Sequence, residues 1–256
     1  MIRAAFFDID GTLLSFKTHR VSDGTLRAFA KLRGAGVKTF LSTGRPPVLI
    51  PQMPVAFDGY ITMNGGLVYT GSDTLRSNPI PGADYGRWLD YAGQHNICTM
   101  VFDRETMAVA QPTETGYAIQ RQLDMPMPPL RELDELRGVE AYQVIALMPP
   151  ADDAAVGRLL PGCRMPRWHE LFTDIVADGN SKAVGMDAIC RRFGIGQADT
   201  IAFGDGGNDV EMLRWAGIGI AMGNASEVVK ASADMVTADV DHEGIEQAID
   251  QLLAGV

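Results

Sequence analysis

The chain has 256 residues, of which 46% are hydrophobic and 21% charged, and it carries a formal net charge of −10. That length suits one large core with an insertion better than two full-sized domains. The acidic balance, with no basic run, argues against nucleic acid as the main partner. An anionic small molecule could still bind through a local cation such as Lys, Arg or a metal ion.

The three cysteines, Cys98, Cys163 and Cys190, are far apart and have no metal-like spacing, so reduced, buried thiols are expected. The first strand begins almost at residue 1, with no charged segment and apolar run ahead of it to act as a leader. No window approaches ~18 consecutive apolar residues. A cytoplasmic protein without a membrane span is the expectation.

In chain order, residues 3–8 read as a buried strand, and 22–34 as a helix with Ser22 as N-cap and Gly34 and Gly36 near its end. Residues 37–43 and 59–64 read as two more strands, and 65–80 as a hairpin around Gly71, Ser72 and Asp73. Strand, helix, strand at this spacing predicts a parallel α/β sheet. The middle has another texture. Strands pair there as 97–102 with 106–110 and 163–168 with 171–176, beside a single strand near 141–148. Helices are expected near 82–95, 113–123 and 151–160, and the Pro-rich stretch 125–130 reads as a surface connection.

From residue 180 the alternation resumes: helix 181–193, strand 199–203, helix 208–215, strand 217–221, and helices 225–231 and 243–253. The expected fold is therefore α/β, a doubly wound parallel core sheet formed by 1–80 and 180–256. An α+β domain, 81–179, is inserted into it.

Four segments could carry chemistry, each where a strand gives way to a loop or a helix begins. They are "FFDIDGT" with Asp8 and Asp10, "FLSTGRP" with Thr43, Gly44 and Arg45, "DGNSKAVGM" with Lys182, and "IAFGDGGNDVEML" with Asp205, Asn208 and Asp209. Ligands of open α/β sheets bind at the carboxyl ends of the strands, so these segments should converge. Asp8, Asp10 and Asp205 offer hard oxygen ligands suited to Mg²⁺. Thr43 offers a hydroxyl, Gly44 an unobstructed amide, and Lys182 a cation at a helix start, where anions are favoured. Together they describe a site for a phosphate dianion beside a metal. Singly, each segment is as readily a turn, a cap or a solvated lysine; the four in this order are hard to produce from turn chemistry.

With these motifs in this order, the chain resembles the haloacid dehalogenase-like superfamily of phosphohydrolases, and within it the Cof-type sugar-phosphatase subfamily. "GYITMNGGLVY" (59–69) is similar to the stretch that ends the first core half in that group. The resemblance implies a Rossmann-like core and two-step phosphoryl transfer, with Asp8 as nucleophile and Asp10 as general acid and then base. It implies Mg²⁺ held by the Asp8 carboxylate, the Asp10 backbone carbonyl and the Asp205 carboxylate. Thr43, Gly44, Lys182 and Asn208 would bind the phosphoryl oxygens, and Asp209 would orient Lys182 or a metal-bound water. The insertion after the third strand corresponds to a C2B cap, and none of its residues is assigned a role.

The leading expectation is a Mg²⁺-dependent phosphatase of small phosphorylated metabolites, with sugar phosphates foremost. A phosphosugar mutase using the same aspartyl-phosphate is the alternative, and a non-enzymatic phospho-acceptor module a third. His19, His95, His169 and His242 share no ligand spacing and read as surface or packing residues. Trp168 reads as a contact residue, and Met100, Met107, Met125, Met127 and Met148 as core or loop filling. Arg45 could meet the substrate or pair with an acid. The oligomeric state is not legible.

Overall fold

The computed structural model describes residues 1–122, 126, 128–167 and 169–254. The expected helix end at Leu123, together with Met125, Met127 and Trp168, lies outside them. The first elements are β1 (Ala4–Phe7), α1 (Asp23–Gly34), β2 (Lys38–Ser42), β3 (Gly59–Thr62), β4 (Leu67–Thr70) and β5 (Asp73–Ser77). Next come α2 (Gly82–His95), β6 (Thr99–Phe102), β7 (Met107–Ala110), α3 (Glu114–Gln122), α4 (Leu133–Leu136), β8 (Gln143–Ala146), α5 (Asp153–Leu159), β9 (Cys163–Arg164) and β10 (Thr173–Ala177). The last are α6 (Lys182–Phe193), β11 (Thr200–Gly204), α7 (Val210–Trp215), β12 (Ile218–Ala221), α8 (Glu227–Lys230), β13 (Met235–Val236) and α9 (Gly244–Ala254).

Two compact units emerge, one of residues 1–44, 51–77 and the chain from Ser181 onward, the other of 45–50 and 78–180. The first holds an eight-stranded sheet in the order β13-β12-β11-β1-β2-β3-β4-β5. It is parallel from β13 to β3, and β4 and β5 add antiparallel strands at one edge.

The sequence of β1 explains its central place. Ala4, Ala5, Phe6 and Phe7 are all fully buried, as a strand covered on both faces requires. Successive side chains point to opposite faces. Phe6 stacks on Phe40 at 5.0 Å, and Phe7 on Phe203 at 5.1 Å with Phe29 beside it at 4.8 Å. From β1 the chain winds outward through β2 and β3, then returns to pair β11 on the other side. The reversal puts the topological switch between β1 and β11, where doubly wound sheets open a crevice at the carboxyl ends.

The second unit holds a five-stranded antiparallel sheet, β7-β6-β8-β10-β9. On one face Val101, Val144 and Ile175 pack against Trp88 and Leu89 of α2 and Val156 of α5. On the other, Met100, Phe102 and Ile145 pack with Ile119 of α3 and Phe172. Asn78 and Asn180, where the chain enters and leaves this unit, are tied together: Asn78 Nδ2 donates to Asn180 Oδ1 at 2.8 Å.

Some expected strands are shorter, and two short elements were not foreseen. The strand expected over 163–168 stops at Arg164, because Pro166 has no amide to continue the ladder. Beyond it the backbone wraps Arg167, whose guanidinium donates to the carbonyls of Met148 (3.1 Å) and Phe172 (2.9 Å) and is paired with Asp153. The strand expected to reach residue 64 ends at Thr62, where Met63 and Asn64 turn into left-handed backbone. The short helix α4 and the two-residue edge strand β13 carry too few residues for a periodic signal. All three cysteines are free, but Cys163 is only half-buried, beside Asp84.

The stacked aromatic layer should dominate the stability of the first unit. Phe40→Ala removes a fully buried ring that touches both Phe6 and Phe193. It is expected to cost about 3–5 kcal/mol in urea denaturation followed by circular dichroism. A loss below about 1 kcal/mol would show that the layer is not a tightly packed core.

Candidate active site

Asp8 follows β1 directly, and its amide still donates to the Phe203 carbonyl of β11 at 3.1 Å, so its position is set by the sheet. The chain then turns sharply, with the amides of Leu13 and Leu14 donating to the Ile9 carbonyl at 3.0 and 2.8 Å. Gly11 makes this turn possible twice over. Its φ is +81°, and a Cβ there would lie 2.1 Å from Asp205 Oδ2, so only glycine lets the loop after β1 press against the carboxylate after β11.

Lys182 enters as the first residue of α6, behind Ser181, whose hydroxyl caps the helix by accepting from the Val184 amide. Its side chain is 0% exposed, and Nζ donates to Asp8 Oδ1 and to Asp209 Oδ1, each at 2.6 Å. A buried ammonium persists only with such charge-assisted partners. The other oxygen of Asp209 accepts from the amides of Asp205 (3.0 Å) and Gly206 (2.9 Å). Both oxygens of Asp209 are thus engaged, one by Lys182 and the other by the loop after β11.

Asp205 is held from both sides. Thr12 Oγ1 donates to its Oδ1 at 3.0 Å, and Asn224 Nδ2 donates to its Oδ2 at 3.0 Å and to the Gly11 carbonyl at 2.9 Å. Carboxylate oxygens of Asp8, Asp205 and Asp209 all lie within 4.8 Å of one another. Among the described residues, only Lys182 is bonded to this cluster as a counter-charge, so the cluster carries excess negative charge in a poorly solvated place.

That imbalance is visible in the protonation energetics. Burial pushes the Asp8 carboxyl up to about 8; Lys182 pulls it back, while the charges of Asp209 and Asp10 add to the rise. Burial also pushes Asp205 up to about 6, with Asp209 contributing. Burial works against the charge of Lys182, but Asp209 and Asp8 outweigh it and hold the amine above its usual range. Hard carboxylate oxygens gathered with a deficit of positive charge, and a cradle kept open by Gly11, fit a small divalent cation such as Mg²⁺.

A second group of residues, Thr43, Gly44, Asn64 and Asn208, is polar and uncharged. Thr43, after β2, is 1% exposed; its amide donates to the Ile61 carbonyl at 2.8 Å and its carbonyl accepts from the Asn64 amide at 3.1 Å. Asn208 lies in the short turn before α7, and its Nδ2 donates to Asn64 Oδ1 at 2.9 Å. Gly44 lies beside both amide side chains.

The expected residues Asp8, Asp205, Lys182 and Asp209 are thus in direct or near contact, and Asn208 joins Thr43 and Gly44 through Asn64. Asp10 is half-buried in the turn after β1, close enough for its charge to act on both Asp8 and Asp205. Arg45 donates to the Leu49 carbonyl at 2.9 Å and groups with residues 45–50. Three histidines make local contacts: His95 with Tyr91, His169 with Phe172, and His242 with Asp239.

Sequence reasoning missed Thr12, Asn64 and Asn224. Asn224 had a signal, because it follows Gly223 just past the end of β12 as the other site residues follow their strands. Asn64 had one too, a short polar residue before a Gly pair at a strand end.

A lysine-bridged carboxylate cluster at the switch point of a doubly wound sheet defines an α/β enzyme built to meet an anionic group. The chain belongs to the haloacid dehalogenase-like hydrolase family, whose model matches residues 5–249. YkrA of Bacillus subtilis (strain 168) is 33% identical over 254 residues, 96% of each chain. Pyridoxal phosphate phosphatase YbhA of Escherichia coli (strain K12) is 30% identical over 268 residues, covering 96% of this chain and 97% of its own. A solved sugar phosphatase of subclass IIB in the same superfamily superposes with a TM-score of 0.88 at 36% identity, with 98% of each chain covered. The protein is a phosphoric monoester hydrolase. No helix among the described residues is long and apolar enough to cross a membrane.

The raised carboxyls give a signed pH dependence. Asp205 titrates near 6 when folded but near ~4 when unfolded. Between those values the native state binds more protons, so its contribution to stability falls as pH rises. In EDTA, wild-type Tm should therefore lose more than that of Asp205→Asn between pH about 4 and about 6. Equal slopes would mean that Asp205 is not strained in its ionised form.

Proposed function

We propose that the protein is a Mg²⁺-dependent phosphatase of small phosphorylated metabolites, with sugar phosphates as the leading class, working through an aspartyl-phosphate on Asp8. The observation that carries this reading is the 2.6 Å bridge from Lys182 Nζ to Asp8 beside Asp205. It holds a nucleophile rigidly, keeps it next to a cation, and leaves Asp8 Oδ2 without a hydrogen bond among the described residues.

In the first step an oxygen of Asp8 forms a bond to phosphorus as the bond from phosphorus to the leaving oxygen breaks. Asp10 gives its proton to that oxygen, releasing the alcohol. In the second step Asp10 takes a proton from water, the water oxygen bonds to phosphorus, and the bond from phosphorus to Asp8 breaks. Phosphate leaves and Asp8 is restored. Mg²⁺, bound by the Asp8 and Asp205 carboxylates and the Asp10 carbonyl, would supply neutralisation of the dianion. Lys182 adds a positive charge beside Asp8, so an anionic nucleophile and an anionic substrate can approach. Thr43, Gly44 and Asn208 bind the phosphoryl oxygens, and Asp209 keeps Lys182 aimed.

Residues 1–80 and 180–256 form the catalytic core in this reading, and 81–179 is a cap domain that selects among phosphorylated substrates. Sugar phosphates lead because the Cof-type motifs and the subclass IIB neighbour, itself a sugar phosphatase, support them. The pyridoxal phosphate activity of YbhA keeps other small phosphomonoesters within the class. The free cysteines support a reducing, cytoplasmic setting.

Phosphate release from a panel of phosphorylated metabolites should require Mg²⁺, stop with EDTA and return on readdition. Asp8→Asn should keep the fold and lower turnover by at least about 10⁴-fold. Substantial turnover by that variant, or hydrolysis indifferent to EDTA, would sink the mechanism. Asp10→Asn should slow alkyl phosphates by about 10²–10⁴-fold and p-nitrophenyl phosphate far less, since p-nitrophenolate leaves without a proton. Equal slowing of both would remove Asp10 from the role of acid.

A further inference from the structure

The turn that ends β3 is built at odds with its sequence. Met63 (φ +49°) and Asn64 (φ +52°) both lie in left-handed backbone, and Gly65 follows at +86°. Two consecutive non-glycine residues in this region are uncommon, and a fully buried methionine there is an outlier. Such conformations persist when the surroundings over-determine them, and they gather at functional sites.

The surroundings here are the phosphate-facing wall. The Asn64 amide donates to the Thr43 carbonyl at 3.1 Å, and its side-chain amide lies over Gly44, where a Cβ would meet Nδ2 at 3.1 Å. Asn64 Oδ1 accepts from Asn208 Nδ2 at 2.9 Å. Gly65 presses so closely on the N-cap of α6 that a Cβ would sit 2.2 Å from the Ser181 carbonyl, one residue before Lys182. Arg76 anchors the turn from outside by donating to the Gly65 carbonyl at 2.6 Å. The strained turn therefore touches all three segments that face the phosphoryl group: Thr43–Gly44, Asn208 and the start of α6.

We infer that Asn64 is a positioning residue for phosphoryl transfer, holding the Asn208 carboxamide so that its second N–H faces the phosphoryl oxygens. An amide nitrogen has two N–H groups. Asn64 Oδ1 takes one of them, which fixes both the flip and the rotamer of Asn208 and leaves the other for the ligand. Asn208 is itself exposed, on a short turn, and without this acceptor its side chain is free to rotate. Orientation of this kind is worth rate, because misplaced donors stabilise the transition state poorly. The left-handed backbone at Asn64 is what directs its side chain across Gly44 to Asn208, and Asn tolerates that region better than most residues.

The inference rests on Asn208 binding the phosphoryl group, and a double-mutant cycle on kcat/KM for p-nitrophenyl phosphate with Mg²⁺ separates the two. Asn64→Gly keeps the left-handed backbone at no steric cost and deletes only the amide, so Tm should change little. It should lower kcat/KM about tenfold and weaken inhibition by inorganic phosphate by a similar factor. In an Asn208→Ala background the same change should have no further effect. Asn64→Asp, which keeps an acceptor, should retain the coupling to Asn208 even where its added charge lowers the rate.

Asn208→Ala with full kcat/KM would remove the phosphate role of Asn208 and the inference with it. A large loss from Asn208→Ala beside an unaffected Asn64→Gly, or equal losses from Asn64→Gly in both backgrounds, would overturn the positioning role alone.

Discussion

Everything at the site depends on one buried ammonium. Lys182 Nζ sits fully enclosed between Asp8 and Asp209 at 2.6 Å from each, the counter-charge that both buried acids share. A buried ion pair is weak evidence for stability, since desolvation consumes much of its attraction, so its retention is better explained by what it positions. Here it ties the end of β1, the start of α6 and the turn before α7 to a common point. Those elements are distant in sequence.

The cluster is nonetheless incomplete as a balanced set of charges. One lysine faces three close carboxylates, with Asp10 nearby, and burial raises both Asp8 and Asp205. The Mg²⁺ of the proposed mechanism would bind into this deficit of positive charge. In the proposed mechanism the neutral group of Thr43, Gly44 and Asn208, with Asn64 holding Asn208, would complement it by meeting phosphoryl oxygens with donors that cost no additional charge. Gly11 and Gly65 keep these walls close: one lets the first loop approach Asp205, and the other lets the strained turn approach α6. The stacked phenylalanines of β1, β2 and β11 form the floor that makes such tolerances possible, since close-packed interiors transmit small displacements.

Much of this was legible in the residues. Apolar runs ending in acids marked β1 and β11, and Ser181 and Lys182 marked the start of α6. What escaped was of two kinds. Thr12, Asn64 and Asn224 are short polar residues whose local pattern suits any turn, and only their partners distinguish them. The end of β3 was misjudged because "GYITMN" continues an apolar strand pattern, while the contacts of Asn64 with Thr43 and Asn208 hold residues 63 and 64 in a conformation that propensity disfavours. Tertiary context overrode local preference where the site needed it.

The sequence by itself determined the parallel α/β core and placed Asp8, Asp205, Asp209 and Lys182 at the ends of strands and the start of a helix. Periodicity, caps and strand-end motifs are local properties, so they can be read one segment at a time. Only the tertiary structure decided how charge is shared among Asp8, Asp205, Asp209 and Lys182, which acid holds the lysine, and that Asn64 joins Thr43 to Asn208. Those are matters of distance and burial between segments far apart in the chain, and no local pattern encodes them.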